Sequence, residues 1–252
     1  MAGHSKWATT KRHKAAQDKK RSALFGKLSR AIFVAAKNGD PNPDNNAALA
    51  AAITKAKSYS FPKDKIEIAI AKASGAGTDG VIWEEFTYEG YGPAGVAIFL
   101  EILTDNRNRA AADVRSAFSK SGGNLGTSGS VAFQFERKGE IVIDIPDEGF
   151  DEDEFMLAVA EADGEDYEIA DDVAVVTTAP TSVMAVKSTL EDAGFAVRGA
   201  ELVMTPATMQ EVATENVRQV MRLIDKLEEL DDVQSVYHTM DLTESQLTDL
   251  DD

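Results

Sequence analysis

The sequence predicts an α+β protein in which an N-terminal three-helix domain precedes two ferredoxin-like α/β domains, the third inserted in the second. Over the first 75 residues, apolar side chains recur at helical spacing within basic and alanine-rich stretches. Further along, strand-like and helical runs follow the order strand, helix, strand, strand, helix, strand. A chain of 252 residues, 43% of them hydrophobic, can form two or three packed domains.

The first predicted helix is defined by its apolar face. Leu24, Leu28 and Ile32 recur every four residues, which places them on one side of a helix over residues 11–37. The segment 38–43 is dense in asparagine, glycine and proline, so it ends this helix.

The second and third helices follow from propensity and from the residues that interrupt them. The alanine-rich run at 47–57 has high helix propensity, and Asp44 or Asn45 can cap it. Pro62 stands where a first-turn proline is tolerated, so a third helix is predicted over 64–73. The glycine-rich residues that follow are predicted to form a linker.

The rest of the chain is interpreted from its periodicity and from its turn-forming residues. In chain order we predict strands at 83–89 and 96–103, a helix at 108–120, strands at 130–136 and 141–145, a helix at 151–162, strands at 167–170 and 173–178, a helix at 182–193, a strand at 196–204, a helix at 209–230 and a strand at 233–238. The last helix and strand are predicted to complete the domain that begins at residue 81.

Four segments are therefore predicted. The four strands and two helices between residues 138 and 204 make a complete unit, so this unit is interpreted as an insertion. The segments are a basic helical domain at 1–75, an α/β domain at 81–137 plus 205–240, an inserted acidic ferredoxin-like domain at 138–204, and a frayed acidic tail at 241–252.

Charge is distributed very unequally along the chain. The formal net charge is −17, yet residues 1–75 carry 15 Lys and Arg against 5 Asp and Glu, a net charge of +10. The remaining residues carry a net charge of −27, and none of residues 139–186 is Lys or Arg. A basic module joined to acidic domains is typical of polyanion-binding proteins. The alternative is a solvated basic helix that has no partner.

The residue composition argues against a catalytic or metal site and against a membrane-spanning helix. With no cysteine and only three histidines, we predict no catalytic residue, no metal site and no cofactor. The longest apolar runs fall far short of the roughly 20 residues that a membrane-spanning helix needs, and the basic N-terminus is no secretory signal. We therefore predict a cytoplasmic protein that is not an enzyme and does not bind membranes. A monomer is expected, but the sequence does not determine the oligomeric state.

The N-terminal region supplies most of the predicted nucleic-acid contacts. Lysine and arginine neutralise phosphates, histidine can donate to them, and the Trp7 indole can stack on an exposed base. The alternative for Trp7 is a core anchor that holds the arm against the helices. The predicted contact residues here are His4, Lys6, Trp7, Lys11, Arg12, His13, Lys14, Lys19, Lys20, Arg21, Lys27 and Arg30.

A second predicted group lies where a strand ends and the next helix begins, and comprises Asn106, Arg107, Asn108 and Arg109. Two guanidinium groups beside the N–H groups of a helix start are suited to phosphate binding. In the alternative, one asparagine caps the helix and the arginines pair with Asp105 and Asp113.

The glycine-rich stretch at 122–129 also leaves two interpretations open. Glycine lets backbone N–H groups approach an anion closely, so the stretch can form a phosphate-contacting loop. It follows a helix and precedes a strand, whereas a dinucleotide-binding loop follows a strand and precedes a helix. The alternative is a plain turn.

Several long motifs resemble those of the YebC/PmpR family, which includes the mitochondrial translational activator of cytochrome oxidase subunit I. The motifs are MAGHSKW at 1–7, NGDP at 38–41, FPKDKIEIAIAKASG at 61–75, YEGYGPAGVA at 88–97, TDNRNR at 104–109 and SKSGGNLGTSGSVAF at 119–133. With a looser match, DDVQSVYHTMD at 231–241, the resemblance covers essentially the whole chain. The family usually carries arginines where residues 47–52 read AALAAA, and their loss weakens the second helix as a phosphate-contacting surface.

The resemblance implies a three-domain protein whose members are described as DNA-binding transcriptional regulators or as translation factors that act on ribosomes, including ribosomes stalled at proline-rich stretches. We therefore predict a nucleic-acid-binding regulator of gene expression, specifically a ribosome-associated translation factor with rRNA, the ribosome or tRNA as its partner. The alternative is a transcriptional regulator bound to duplex DNA, for which no clear helix-turn-helix is evident. A ligand-sensing domain and a membrane-surface helix at 11–37 have weaker support.

Overall fold

The computed structural model describes residues 17–74, 82–146, 148–170, 172–243 and 246, with the backbone alone for 17–21 and 170. The helices are α1 Gln17–Asn38, α2 Ala47–Ser58, α3 Lys63–Ser74, α4 Arg107–Lys120, α5 Glu152–Glu161, α6 Val183–Asp192 and α7 Thr214–Glu228. The strands are β1 Glu84–Tyr91, β2 Ala97–Thr104, β3 Asn124–Leu125, β4 Phe135–Asp144, β5 Asp166–Ala170, β6 Val173–Thr178, β7 Ala196–Pro206, β8 Gln210–Glu211, β9 Val233–His238 and β10 Met240–Asp241. Short 3-10 helices lie at Pro43–Asn45, Pro93–Gly95 and Ala132–Gln134.

The predicted three-helix N-terminal region is confirmed. Leu28 and Ile32 of α1 are buried, as their four-residue spacing predicts, and Leu49 of α2 and Ile66 of α3 pack in the same core. An edge-to-face contact between Phe25 and Phe61, with ring centroids 5.0 Å apart, closes one end of this core. Burial of these side chains is what holds helices of this length together.

The cap of α2 differs from the prediction. Asn46 is the capping residue, since its side-chain oxygen accepts the N–H of Leu49 at 3.0 Å. Its amide nitrogen donates to the carbonyl oxygen of Ala35 in α1 at 2.9 Å, so the same side chain joins two helices. Asp44 and Asn45 instead belong to the preceding 3-10 helix, a separate turn that ends just before the cap.

The first α/β unit contains an antiparallel sheet with the strand order β3, β1, β2, β9. Helices α4 and α7 pack on this sheet through buried residues such as Phe118 and Leu223. All six residues of α7 that are buried lie on one side of the helix, which leaves the opposite side in solvent.

The second α/β unit has the strand order β7, β4, β6, β5, and all of its strand pairs are antiparallel. With α5 after β4 and α6 after β6, it has the predicted β-α-β-β-α-β order. Phe155 of α5 and Leu190 of α6 are fully buried in its core. The β4–β7 ladder extends from the pair Phe135–Pro206 to the pair Asp144–Ala196.

The chain order of the two sheets is that of an insertion. Strand β9 pairs with β2 and completes the first sheet only after β7 has completed the second. The predicted bounds at 138 and 204 stay a prediction, although the second sheet extends a few residues beyond both. A small apolar cluster that includes Phe99, Phe135 and Tyr237 packs between the two sheets.

Three predicted details are wrong. The strand predicted at 130–136 begins only at Phe135, the first residue of β4. Residues 130–134 form a loop and the 3-10 helix Ala132–Gln134, because the N–H groups of Val131 and Ala132 bond to the side chain of Glu89 in β1. The helix predicted at 209–230 begins only at Thr214, because β8 first pairs in parallel with β10. The tail is ordered at its start, where Leu242 is buried.

The helical unit is docked onto the second sheet through α2 and β7. The Lys55 ammonium lies 2.7 Å from the Glu201 carboxylate. Burial lowers the pKa of Lys55, but the charge and hydrogen bond of Glu201, together with the charges of Glu101 and Glu140, outweigh burial and leave this pKa above its ordinary value of 10.5. A Cβ atom at Gly199 would lie 2.2 Å from the Cβ of Ser58, so only glycine permits this close approach.

Candidate nucleic-acid interface

The predicted contact residues of the N-terminal arm fall into two groups. His4, Lys6, Trp7, Lys11, Arg12, His13 and Lys14 lie outside the described residues. Lys19, Lys20 and Arg21 lie in the first turns of α1, where the backbone is described. Their role in binding therefore stays a prediction.

Lys27 and Arg30 of α1 contact the C-terminal end of α7. Lys27 donates through Nζ to the carbonyl oxygen of Glu228, and Arg30 donates through Nη1 to that of Asp231. Glu228 is the last residue of α7, and the last carbonyl groups of a helix have no partner within the helix and carry partial negative charge, so they favour cations. Asp231 lies three residues beyond the helix. These two predicted phosphate contacts thus have a structural role between α1 and α7.

Arg30 makes two further contacts at the same junction. Its guanidinium lies 5.3 Å above the ring of Trp83, a cation–π geometry. Its Nη1 atom is 3.8 Å from the carboxylate of Asp232, which is itself almost buried. The junction therefore combines a helix terminus, an aromatic ring and a carboxylate around one arginine.

Arg109 contacts the same carboxylate. Its Nε and Nη2 atoms donate to the two oxygens of Asp232 at 3.0 and 2.8 Å, a bidentate geometry. Nη2 also donates to Asp105 at 2.8 Å. The hydrogen bonds to Asp232 and then to Asp105 raise the pKa of Arg109 above its ordinary value. Arg30 and Arg109, predicted as separate phosphate contacts, are thus brought together by one acidic residue.

The rest of the second predicted group follows the capping alternative. Asn106 caps α4, since its side-chain oxygen accepts the N–H of Arg109 at 3.0 Å. Arg107 pairs with Glu84 at 3.3 Å rather than with Asp113, and its guanidinium lies 4.5 Å above the ring of Phe86. Asn108 is exposed.

Replacing Arg107 with glutamine is expected to lower the free energy of unfolding by no more than about 1 kcal/mol, because both partners of its ion pair are half exposed. Urea unfolding measures this change, with Arg115→Gln on the exposed side of the same helix as the control. A loss of more than about 2 kcal/mol would contradict it and give Arg107 a structural role.

The glycine-rich stretch at 122–129 is bound by a carboxylate of the same chain. Glu89 of β1 is buried, and its carboxylate accepts the N–H groups of Gly129, Val131 and Ala132, each at 2.7 Å. Burial raises the pKa of Glu89, but these three hydrogen bonds outweigh it and leave the pKa below its ordinary value of 4.5. Because the carboxylate occupies these donors, the structure supports the plain-turn interpretation for this part of the loop.

One further group of basic residues was not predicted from the sequence. Lys120 at the end of α4, together with Arg218, Arg222 and Lys226 of α7, lines an open groove between the two helices. The four-residue spacing of the last three is visible in the sequence, but they lie in a segment whose overall charge is acidic.

The described residues include no helix that is both long and apolar enough to cross a membrane.

The fold and its contacts together define a class of α+β proteins in which a basic helical unit is docked by charged side chains onto two antiparallel α/β units, one inserted in the other. Known proteins share this organisation. Residues 5–76 match the family described as "TACO1/YebC protein N-terminal domain", and residues 83–240 match "TACO1/YebC second and third domain". The chain belongs to the TACO1/YebC family, which confirms the predicted family.

Two relatives and one solved structure illustrate the similarity. A protein of Rubrobacter xylanophilus named "Probable transcriptional regulatory protein" is 51% identical over 250 residues, which cover 99% of each chain. A Bifidobacterium animalis protein of the same name is 50% identical over the whole length of both. The crystal structure of a conserved hypothetical protein from Aquifex aeolicus has a TM-score of 0.80 and 39% identity, and the match covers 90% of this chain and 93% of that one.

Proposed function

We propose that this chain is a nucleic-acid-binding regulator of gene expression that attaches to ribosomal RNA or tRNA through its basic N-terminal region. The observation that carries the proposal is the charge segregation, a net charge of +10 over residues 1–75 in a chain of net charge −17. The names of the relatives support a regulatory role.

The internal contacts of the described residues narrow the candidate surface. Lys27 and Arg30 are engaged with the end of α7, and Arg109 with Asp232. The proposed phosphate contacts are therefore mainly the lysine and arginine residues at positions 6–21. The part of α1 that follows them contacts the rest of the protein.

RNA is favoured over duplex DNA by two features. The Trp7 indole lies among cations in the sequence, and an aromatic ring can stack on the unpaired bases of structured RNA. A duplex reader needs a recognition helix presented to the major groove, whereas α2 is docked on β7 through Lys55 and Ser58. The alternative is a transcriptional regulator bound to duplex DNA, which the names of the relatives favour.

The triple variant Lys11→Ala, Arg12→Ala and Lys14→Ala in the full chain tests the contact surface. Each lost phosphate contact is expected to lower the slope of log affinity against log salt concentration by about 0.7 on single-stranded RNA. Fluorescence anisotropy at several salt concentrations measures that slope. The control variant Arg115→Ala, Arg137→Ala and Lys187→Ala changes the net charge equally, outside the basic region. An equal slope change in both variants, or none in either, would contradict the proposal.

Sedimentation separates the two partners. We expect the full chain to travel with ribosomal particles at low salt and to be released by raised salt. A chain that stays at the top of the gradient at low salt, yet binds duplex DNA more tightly than rRNA at matched salt, would support the transcriptional alternative instead.

A further inference from the structure

The groove between α4 and α7 is lined by four basic residues, although it lies in one of the acidic α/β units. It is open, has a volume of about 410 Å³ and is lined by Lys120, Ser121, Glu215, Arg218, Gln219, Arg222 and Lys226. The chain has eleven Lys and Arg residues after position 75, and four of them are in this lining. This concentration sets the groove apart within a region of net charge −27.

The packing of α7 places the three cations of this helix on its solvent-facing side. Val217, Val220 and Leu223 are among the residues that bury one side of α7 against the sheet, so the opposite side faces outward. Arg222 and Lys226 follow Arg218 at successive four-residue steps on that outer side, and the three span about 12 Å along the helix axis.

Hydrogen bonds join the two walls of the groove. Gln219 donates through Nε2 to the carbonyl oxygen of Ser121 at 3.1 Å, and Lys226 donates through Nζ to the hydroxyl oxygen of Ser121 at 3.1 Å. The C-terminal end of α4 is thereby held beside the middle and end of α7. Lys120 is thus kept on the same surface as the arginines.

The cations of the groove are incompletely neutralised within the described residues. No described carboxylate lies within 4.0 Å of the charged nitrogens of Lys120, Arg222 or Lys226, and Glu215 is the one acidic residue in the lining. Like charges four residues apart on a helix repel each other. A bound anion would relieve this repulsion, and such an anion needs several negative groups spaced along the 12 Å row.

The C-terminal end of this row is close in sequence to a contact with the basic helical unit. Lys226 is two residues before Glu228, whose carbonyl oxygen accepts a hydrogen bond from Lys27 of α1. The same end of α7 therefore carries a cation of the groove and a contact with the basic helix α1.

We propose that this groove is a second polyanion-binding surface, which holds the phosphate backbone of the same RNA that the N-terminal region binds. This inference rests on the proposed function. An extended phosphate chain fits better than a small ligand, because small-molecule sites are enclosed and mostly apolar whereas this groove is open and lined by polar side chains. The groove gives salt-dependent affinity without reading sequence.

The test compares the full chain with the double variant Arg222→Gln and Lys226→Gln. The probe is a structured rRNA fragment with single-stranded loops, and anisotropy is measured from 50 to 300 mM salt. Loss of two phosphate contacts is expected to lower the salt slope by about 1.4 and the affinity at low salt severalfold. Arg137→Gln with Lys187→Gln removes the same charge from the second α/β unit and is the control. Thermal unfolding of each variant verifies that the fold is kept.

The possible outcomes separate the two proposals. If the full chain binds no RNA, the proposed function fails, and this inference with it. If the full chain binds RNA but both double variants lose affinity equally, or neither does, the groove is a solvated face and this inference alone fails. If the variant in the groove loses affinity for duplex DNA or an acidic peptide but not for RNA, the assignment to RNA is overturned.

Discussion

Replacing Glu89 with glutamine is expected to lower the free energy of unfolding by about 2–4 kcal/mol, the largest effect of any single change considered. The carboxylate accepts three backbone N–H groups in a buried position, one at Oε1 and two at Oε2. A glutamine side chain has one oxygen, so at least one N–H would face an NH2 group and stay unsatisfied. Urea unfolding at pH 7 measures the loss.

The comparison with Glu85→Gln makes this result specific. Glu85 lies on the same strand but is exposed, so its replacement is expected to change the free energy of unfolding by less than about 0.5 kcal/mol. Equal losses in both variants would indicate a general effect of charge on the strand. A loss below about 1 kcal/mol for Glu89→Gln would contradict the role of Glu89 as the anchor of the loop.

The pH dependence of that loss has a definite sign. The folded pKa of Glu89 lies below its ordinary value of 4.5, so the folded state favours the ionised form. The stabilisation is therefore fully present above pH 4.5 and is lost as the pH falls through the folded pKa. The difference between wild type and Glu89→Gln should stay constant from pH 7 to 5 and shrink below 4.5.

The helices and strands that have a clear hydrophobic periodicity could be predicted from the sequence. The apolar spacing of Leu28 and Ile32 predicted the core face of α1, and the order of short strands and helices predicted the second α/β unit. Both depend on local patterns, which are set by residues close together in the chain. The strand predicted at 130–136 is absent over 130–134 because a distant side chain, Glu89, binds the backbone N–H groups of Val131 and Ala132.

The candidate site was harder to predict because its contacts also join residues that are distant in the sequence. Arg30 contacts Asp231, which is 201 residues away in sequence, and Arg109 contacts Asp232, which is 123 away. A positive charge in a sequence indicates attraction to anions, but it does not tell whether the anion is a phosphate or a carboxylate of the same chain. Periodicity could have identified the row at Arg218, because four-residue spacing of cations is a local signal.

The second prediction with a large effect concerns Asp232, where two predicted phosphate contacts meet. Replacing Asp232 with alanine is expected to lower the free energy of unfolding by about 1–3 kcal/mol, because Arg109 loses a bidentate partner and Arg30 a nearby charge. Since Arg109 is half exposed, water compensates part of this loss. Urea unfolding measures the change in stability, and amide hydrogen exchange in α1 measures whether the helical unit loosens from α7.

Asp105→Ala is the matched control for Asp232→Ala, since it removes the other carboxylate that Arg109 contacts. Asp105 is exposed and precedes the capping residue of α4, and an exposed ion pair of this kind is worth only about 0.2–1 kcal/mol. Exchange in α1 should therefore rise in Asp232→Ala and stay unchanged in Asp105→Ala. Unchanged exchange in both variants would mean that the contacts of Lys27 and Arg30 with the carbonyl groups at the end of α7 hold the helical unit without the carboxylate.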